Sequence, residues 1–207
     1  VKCKSKLAID KNSLINSQLF LPAKKSGTEE GIFYLGRIRE DCGIEILINA
    51  VSEINSKTDR IILLHIIGDG PLSTVVNKST EKYQWLHYYG KIFDESKINE
   101  ISRACRIGCV PGFMGLNIVH MFSLSLPVIT HNVLYKHGPE AEYIKHMENG
   151  YLFNQPNDPV SLAIALRKVW AISPNQMKVM QHHAFKTYVD LRSEERRVGK
   201  EGRSRWS

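Results

Sequence analysis

The run Ile61–Ile67 constrains the fold of this chain more than any other segment, because it is apolar at every position except His65. A strand with one face in water alternates apolar and polar residues, whereas a strand buried on both faces of a parallel sheet is apolar almost throughout. The turn Gly68-Asp69-Gly70-Pro71 follows directly and ends the run. The segment therefore predicts a central strand of a parallel sheet that has helices on both faces.

Short apolar runs and amphipathic stretches alternate along the chain from about Gly31 onwards. The predicted strands are 32–35, 61–67, 85–89, 107–110, 127–130 and 151–153. The predicted helices are 43–56, 72–78, 95–104, 116–125, 159–172 and 174–191, with Asp158 as an N-cap. This alternation predicts an α/β fold, a Rossmann-like open parallel sheet whose ligand binds at the carboxyl ends of the strands.

Composition excludes several classes of protein. Hydrophobic residues make up 43% of the chain and charged residues 24%, which excludes collagen, low-complexity and fully disordered chains. No apolar run reaches the roughly 18 residues that a membrane span needs. Four cysteines without a CxxC motif predict free thiols rather than a disulfide framework or a zinc site.

Three segments differ in composition. Residues 1–30 are predicted to be the remnant of a preceding domain with a linker, and residues 31–191 a single binding domain. Residues 192–207 resemble the conceptual translation of a sequencing adapter, except at Gly202, and we expect this tail to be an artefact. The alternative is a basic tail that binds nucleic acid or acidic lipid. The tail supplies much of the net charge of +7, so charge is weak evidence for a polyanionic partner.

Two segments indicate a site for a phosphate. Arg37 follows the first predicted strand, where a guanidinium can fork onto a phosphate, although an arginine after a turn can also be a plain surface residue. The segment Pro111–Asn117 follows another strand and opens a helix, whose first N–H groups bind anions. His120 lies one turn further along, either facing the same ligand or half-buried in a hydrogen bond. The residues thus predict a phosphate or nucleotide binder without specifying a reaction.

A series of motifs in fixed order makes the prediction more specific. They are Tyr34-Leu35-Gly36-Arg37, Gly43–Ala50, Ile67–Leu72, Tyr89–Ile92, Val110–Leu116, Leu126–Ile129 and Glu148–Phe153. This series resembles the C-terminal, nucleotide-sugar-binding half of a group 1 (family 4 type) glycosyltransferase with the GT-B fold, over roughly residues 31–171. The resemblance implies retaining transfer of a sugar from a nucleotide diphosphate sugar, which is the donor substrate, with no cofactor and no metal.

The resemblance also assigns roles to residues. Arg37 and His120 are the candidate catalytic residues, and both also belong to the donor site. Backbone amides of the 114–117 loop are expected to touch the diphosphate, and the segment 90–92 to lie against the base. The full set of expected donor-binding residues is Arg37, Gly68, Gly90, Lys91, Ile92, Gly112, Met114, Gly115, Leu116, Asn117 and His120.

The chain departs from the family pattern at three positions. Cys42 occupies the position of a lysine, and Gly112 and His120 occupy those of two glutamates. The form Pro-Gly-x-x-Gly-Leu-x-x-x-His resembles a variant branch associated with bacterial surface polysaccharide synthesis. The register of a further acidic residue near the donor sugar stays open between Glu140 and Glu142, and a solvated helix start is the alternative for both.

The partners implied are the nucleotide-sugar donor and a glycan or lipid-linked acceptor, which a domain preceding Val1 would bind. We expect this chain alone to bind nucleotide weakly and to transfer no sugar. The implied location is the cytoplasm, with peripheral association at the inner membrane face as a further option.

The alternative functions are a nucleotide-sugar epimerase of the same architecture and a non-catalytic nucleotide-binding module. A nucleic-acid binder lacks support, because no aromatic-basic interleaving is present.

Overall fold

The computed structural model describes the backbone of residues 31–203 and the side chains of residues 31–193. It contains one sheet of six parallel strands in the order β3-β2-β1-β4-β5-β6. The strands are β1 (Gly31–Leu35), β2 (Leu63–Ile67), β3 (Leu86–Tyr88), β4 (Cys105–Cys109), β5 (Val128–His131) and β6 (Gly150–Phe153). The prediction of a Rossmann-like parallel sheet is confirmed, whereas the predictions for 1–30 and 204–207 lie outside the described residues.

Between residues 31 and 203, six α-helices connect or follow the strands. They are α1 (Ile44–Asn55), α2 (Ser73–Lys82), α3 (Glu95–Ser102), α4 (Asn117–Ser123), α5 (Pro159–Trp170) and α6 (Pro174–Arg203). Shorter 3-10 turns cover Glu40–Cys42, Leu134–Lys136 and Pro139–Tyr143. Asp158 caps α5 as predicted, because its carboxylate accepts the N–H groups of Val160 and Ser161 at 3.0 Å each.

The core lies between the sheet and its helices. In β2 the side chains of Leu64, Ile66 and Ile67 are buried, as expected for a strand covered on both faces. Helix α1 packs against α5, and α4 packs against α6. Because β2 and β5 lie on opposite sides of the β1–β4 pair, right-handed crossovers place α1, which connects β1 to β2, and α4, which connects β4 to β5, on opposite faces of the sheet.

Several boundaries differ from the prediction by a few residues, and two of these differences have a physical explanation. Strand β2 begins at Leu63 rather than Ile61, because the Asn55 side chain bonds both the N–H and the C=O of Ile62, at 2.8 and 2.9 Å. Helix α6 continues past Leu191 to Arg203. The continuation lacks an apolar pattern but is rich in Arg, Glu and Lys, which are good helix formers without one.

None of the helices in the described part of the chain is both long and apolar enough to cross a membrane.

Candidate functional site

The candidate site lies at the carboxyl ends of β1 and β4. At this point the strand order changes direction, because β2 and β3 follow β1 on one side, and β4, β5 and β6 lie on the other. Strand β1 pairs in parallel with β2 on one side and with β4 on the other. The loops that follow β1 and β4 therefore leave the sheet at the same edge and on opposite sides of a crevice, which is where open α/β sheets bind ligands. Arg37 lies in the first of these loops, and Gly115 in the second.

The side chain of Asn117 joins the two loops. Its Oδ1 accepts the N–H of Gly115 at 2.9 Å, and its Nδ2 donates to the carbonyl oxygen of Leu35 at 3.2 Å. A Cβ on Gly36 would lie only 3.2 Å from the same Nδ2. The structure thus brings Arg37, which directly follows Gly36, and the loop before α4 together on one edge.

Most amides of the β4–α4 loop already have partners in the protein. The N–H of Gly112 donates to Cys42 O at 3.2 Å, and that of Phe113 to Asp41 O at 2.6 Å. The N–H of Met114 donates to a histidine, and that of Gly115 to Asn117. In the described part of the chain, the amides of Leu116 and Asn117 take part in no hydrogen bond. These two amides are therefore the ones this loop can offer to an anion.

Close backbone packing explains the departure at Gly112. A Cβ on this residue would overlap the carbonyl oxygen of Asp41 and would lie 2.7 Å from the carbonyl carbon of Cys42. No side chain fits there while the loop keeps this path. Cys42, in the position of the family lysine, is 6% exposed and packs in the core, so it brings no positive charge to the edge.

Arg37 is exposed at the edge of the sheet. Its carbonyl oxygen accepts a hydrogen bond from the Tyr34 hydroxyl at 2.9 Å. Burial raises the pKa of that tyrosine, so the hydroxyl keeps its proton and the bond. The backbone at Arg37 is therefore fixed from the core, while its guanidinium faces solvent.

His120 lies one turn into α4 and pairs with the start of α3. Its Nε2 is 3.0 Å from Oε2 of Glu95, and its side chain is 17% exposed. The alternative interpretation, a half-buried histidine in a hydrogen bond, thus describes its environment correctly. Because Glu95 occupies Nε2, only Nδ1 of this ring is left for a ligand.

Sequence reasoning missed a pair of stacked histidines beneath the loop. The rings of His131 and His137 lie 4.0 Å apart between centroids. Burial lowers the pKa of both, that of His131 to about 4, so both rings are neutral near pH 7. Nε2 of His137 donates to His131 O at 3.1 Å, which leaves Nδ1 to accept the Met114 N–H at 3.4 Å. The histidine pair therefore supports the loop from below.

The structure also separates the two acidic candidates. Glu140 is 6% exposed, and its Oε2 lies 3.6 Å from the place where a Cβ on Gly115 would be. Glu142 is exposed. Of the two, Glu140 is the one that faces the β4–α4 loop.

The remaining predicted residues lie at the ends of β2 and β3, next to the Arg37 loop. The N–H of Gly68 donates to Gly90 O at 2.8 Å. Lys91 is exposed with its Nζ 4.5 Å from the centre of the Phe93 ring, and Ile92 is half-buried. Within the described residues, no group of three or more His, Cys, Asp or Glu side chains is placed to hold a metal ion.

Comparison with known proteins points to one family. The model of a family described as glycosyl transferases group 1 matches residues 29–171. No curated protein matches the sequence. Among solved structures, the chain is similar to the C-terminal domain of LpcC, a group 1 family glycosyl transferase from Francisella tularensis. The identity is 21%, the TM-score is 0.67, and the match covers 85% of this chain and 97% of that one.

Two longer structures share the fold. One is a variant of S. aureus TarM in complex with fondaparinux, α-GlcNAc-glycerol and UDP, at 15% identity and a TM-score of 0.69, covering 82% of this chain and 34% of that one. The other is the pneumococcal O-GlcNAc transferase GtfA in complex with UDP and GlcNAc. Its sequence identity is 16% and its TM-score is 0.67, and the match covers 87% of this chain and 37% of that one. The present chain therefore spans about a third of the length of these two proteins.

Proposed function

This chain belongs to the glycosyl transferases group 1 family, and from that premise we propose that it is the donor-binding domain of a retaining glycosyltransferase. The donor is a nucleotide diphosphate sugar, and the acceptor is a glycan or a lipid-linked sugar that a further domain binds. The variant loop Pro111–His120, with its resemblance to enzymes of bacterial surface polysaccharide synthesis, supports a role of that kind.

One observation carries the proposal: Asn117 ties the loop before α4 to the end of β1, beside Arg37. A diphosphate carries about two negative charges near neutral pH, and a guanidinium can hold two of its oxygens in a fork. The amides of Leu116 and Asn117 are available on the other side of the crevice. These groups together suit a diphosphate that lies across the edge of the sheet.

The same groups would assist the transfer step. For configuration to be retained, the acceptor hydroxyl forms a bond to the anomeric carbon on the face that the diphosphate leaves, as the bond from that carbon to the diphosphate oxygen breaks, and the hydroxyl proton passes to the departing diphosphate. Negative charge grows on the departing diphosphate. Arg37 stabilises this charge by a charge-assisted hydrogen bond, and Nδ1 of His120, the ring nitrogen that Glu95 leaves available, is the candidate for a second one. In this proposal no metal ion takes part.

Two similar structures suggest which nucleotide to use in a binding experiment. TarM and GtfA were each solved with UDP, so UDP is the first nucleotide to test. We expect the isolated chain to bind UDP at least about tenfold more tightly than uridine by calorimetry, since one charge-assisted hydrogen bond suffices for that ratio. The affinity should be equal in magnesium and in EDTA. Failure to bind UDP, or loss of binding in EDTA, would contradict the proposal.

The isolated chain should not transfer sugar from UDP-linked donors, because in this proposal a further domain binds the acceptor. Detectable transferase turnover by the 207-residue protein would show that transfer does not need the further domain to which this proposal assigns the acceptor.

A further inference from the structure

Three glycines, Gly36, Gly68 and Gly90, follow β1, β2 and β3, and the middle one, Gly68, contacts the other two. A Cβ on Gly68 would overlap the carbonyl oxygen of Gly36. On its other side Gly68 donates its N–H to Gly90 O at 2.8 Å. Because no side chain separates these loops, the residues after the three glycines are held close together at the edge of the sheet.

Each of the three following residues is charged and exposed: Arg37, Asp69 and Lys91. Asp69 lies in the middle of this row, which we call the charged row. Its Oδ1 accepts the N–H of Gly70 and the hydroxyl of Ser73, both at 2.8 Å. The carboxylate is therefore fixed in place, with one cation on the β1 side and one on the β3 side.

Electrostatics within the charged row agree with this placement. The pKa of Asp69 is lowered, first by the hydrogen bonds from Ser73 and Gly70 and then by the charges of Lys91 and Arg37. Both cations thus act on the same carboxylate. Without Lys91, the charges of Arg37 and Asp69 would cancel, and the row would attract an anion only weakly. With Lys91 the row has a net positive charge.

We propose that Lys91 is a second ligand of the donor diphosphate, which it shares with Arg37 across Asp69. This inference rests on the proposed function. It differs from the expectation for the segment 90–92, because it assigns the Lys91 side chain to the phosphates and not to the base. Strands β1 and β3 are two strand spacings apart, about 10 Å, which two long side chains can bridge over a diphosphate. The only described contact of the Lys91 ammonium is with the exposed Phe93 ring, and such contacts are weak in water.

The test compares Lys91→Ala with the parent chain by calorimetry, using UDP and uridine at two salt concentrations. We expect the Kd for UDP to rise about tenfold, the typical effect of losing one charge-assisted hydrogen bond. The Kd for uridine should not change. The salt dependence of UDP binding should become weaker, since one cation fewer meets the phosphates.

Lys82→Ala is the matched control. Its Nζ also lies over an aromatic ring, 4.9 Å from the centre of Tyr83, but at the end of α2 and thus at the opposite edge of the sheet. It should bind UDP like the parent chain. Unchanged UDP binding by Lys91→Ala, or an equal loss for UDP and uridine, would overturn the inference and leave the proposed function standing. A parent chain that does not bind UDP would instead overturn the proposed function itself.

Discussion

Replacing Arg37 by alanine should raise the Kd for UDP by about 10- to 100-fold, because a hydrogen bond to a charged group contributes roughly 1.5–3 kcal/mol. The Kd for uridine should stay the same, since the guanidinium is expected to contact phosphate only. The free energy of unfolding should change little, because the side chain is exposed and its backbone is held by Tyr34. Calorimetry and urea denaturation measure these quantities.

Arg103→Ala is the control for this variant. Arg103 is also exposed, but it follows α3 and precedes β4, at the opposite edge of the sheet. It should bind UDP like the parent chain. An Arg37→Ala protein that binds UDP normally would remove Arg37 from the site, and with it the favoured location of the diphosphate.

Replacing Gly68 by alanine should lower the free energy of unfolding by about 3 kcal/mol or more, through strain and overpacking together. The φ angle of Gly68 is 152°, a conformation that side chains disfavour, and the new Cβ would overlap the carbonyl oxygen of Gly36. Both obstacles are backbone atoms or backbone angles, so no rotamer change can relieve them. Urea denaturation monitored by circular dichroism measures the loss.

Gly90→Ala separates the two causes. Gly90 also has a positive φ, 64°, but a Cβ there would meet no atom within 4 Å. We expect a loss of about 1–2 kcal/mol from backbone conformation alone. Equal losses in the two variants would show that the contact between Gly36 and Gly68 is looser than described, and the spacing of the charged row would then be wrong.

The sequence predicted the architecture well because the signals for it are local. The apolar run before Gly68 identified β2, and the alternation of strands and helices placed the loops that carry Arg37 and Gly115. Parallel strands with right-handed crossovers then bring the loops to one edge without further information. The position of Arg37 next to Asn117 therefore followed from periodicity and topology.

The contacts that shape the site could not be predicted, because they join residues far apart in sequence. Asn117 was expected to offer its amide, and its side chain also ties Gly115 to Leu35. His137 supports Met114 from a different loop. No periodicity or local motif predicts hydrogen bonds between residues so far apart in sequence, since each side chain has many potential partners before the chain folds.

The glycine at position 112 shows how structure can account for a departure from a family pattern. From the sequence alone, Gly112 is a departure from the family pattern with no visible cause. In the fold, the neighbouring carbonyl of Asp41 occupies the space that any side chain would need. The departure is therefore coupled to the path of the 41–42 backbone, and Glu140 is the buried acid that faces the same loop.

The amide spectrum of the ¹⁵N-labelled chain during a UDP titration tests most directly whether one diphosphate lies between the two loops. Signals of Arg37, Leu116 and Asn117 should shift together along one saturation curve, and uridine alone should shift them much less. Amides at the opposite edge, such as those of Gly31 and Ala104, should stay in place. Shifts that include only one of the two loops, or that cluster at the opposite edge, would contradict the shared site.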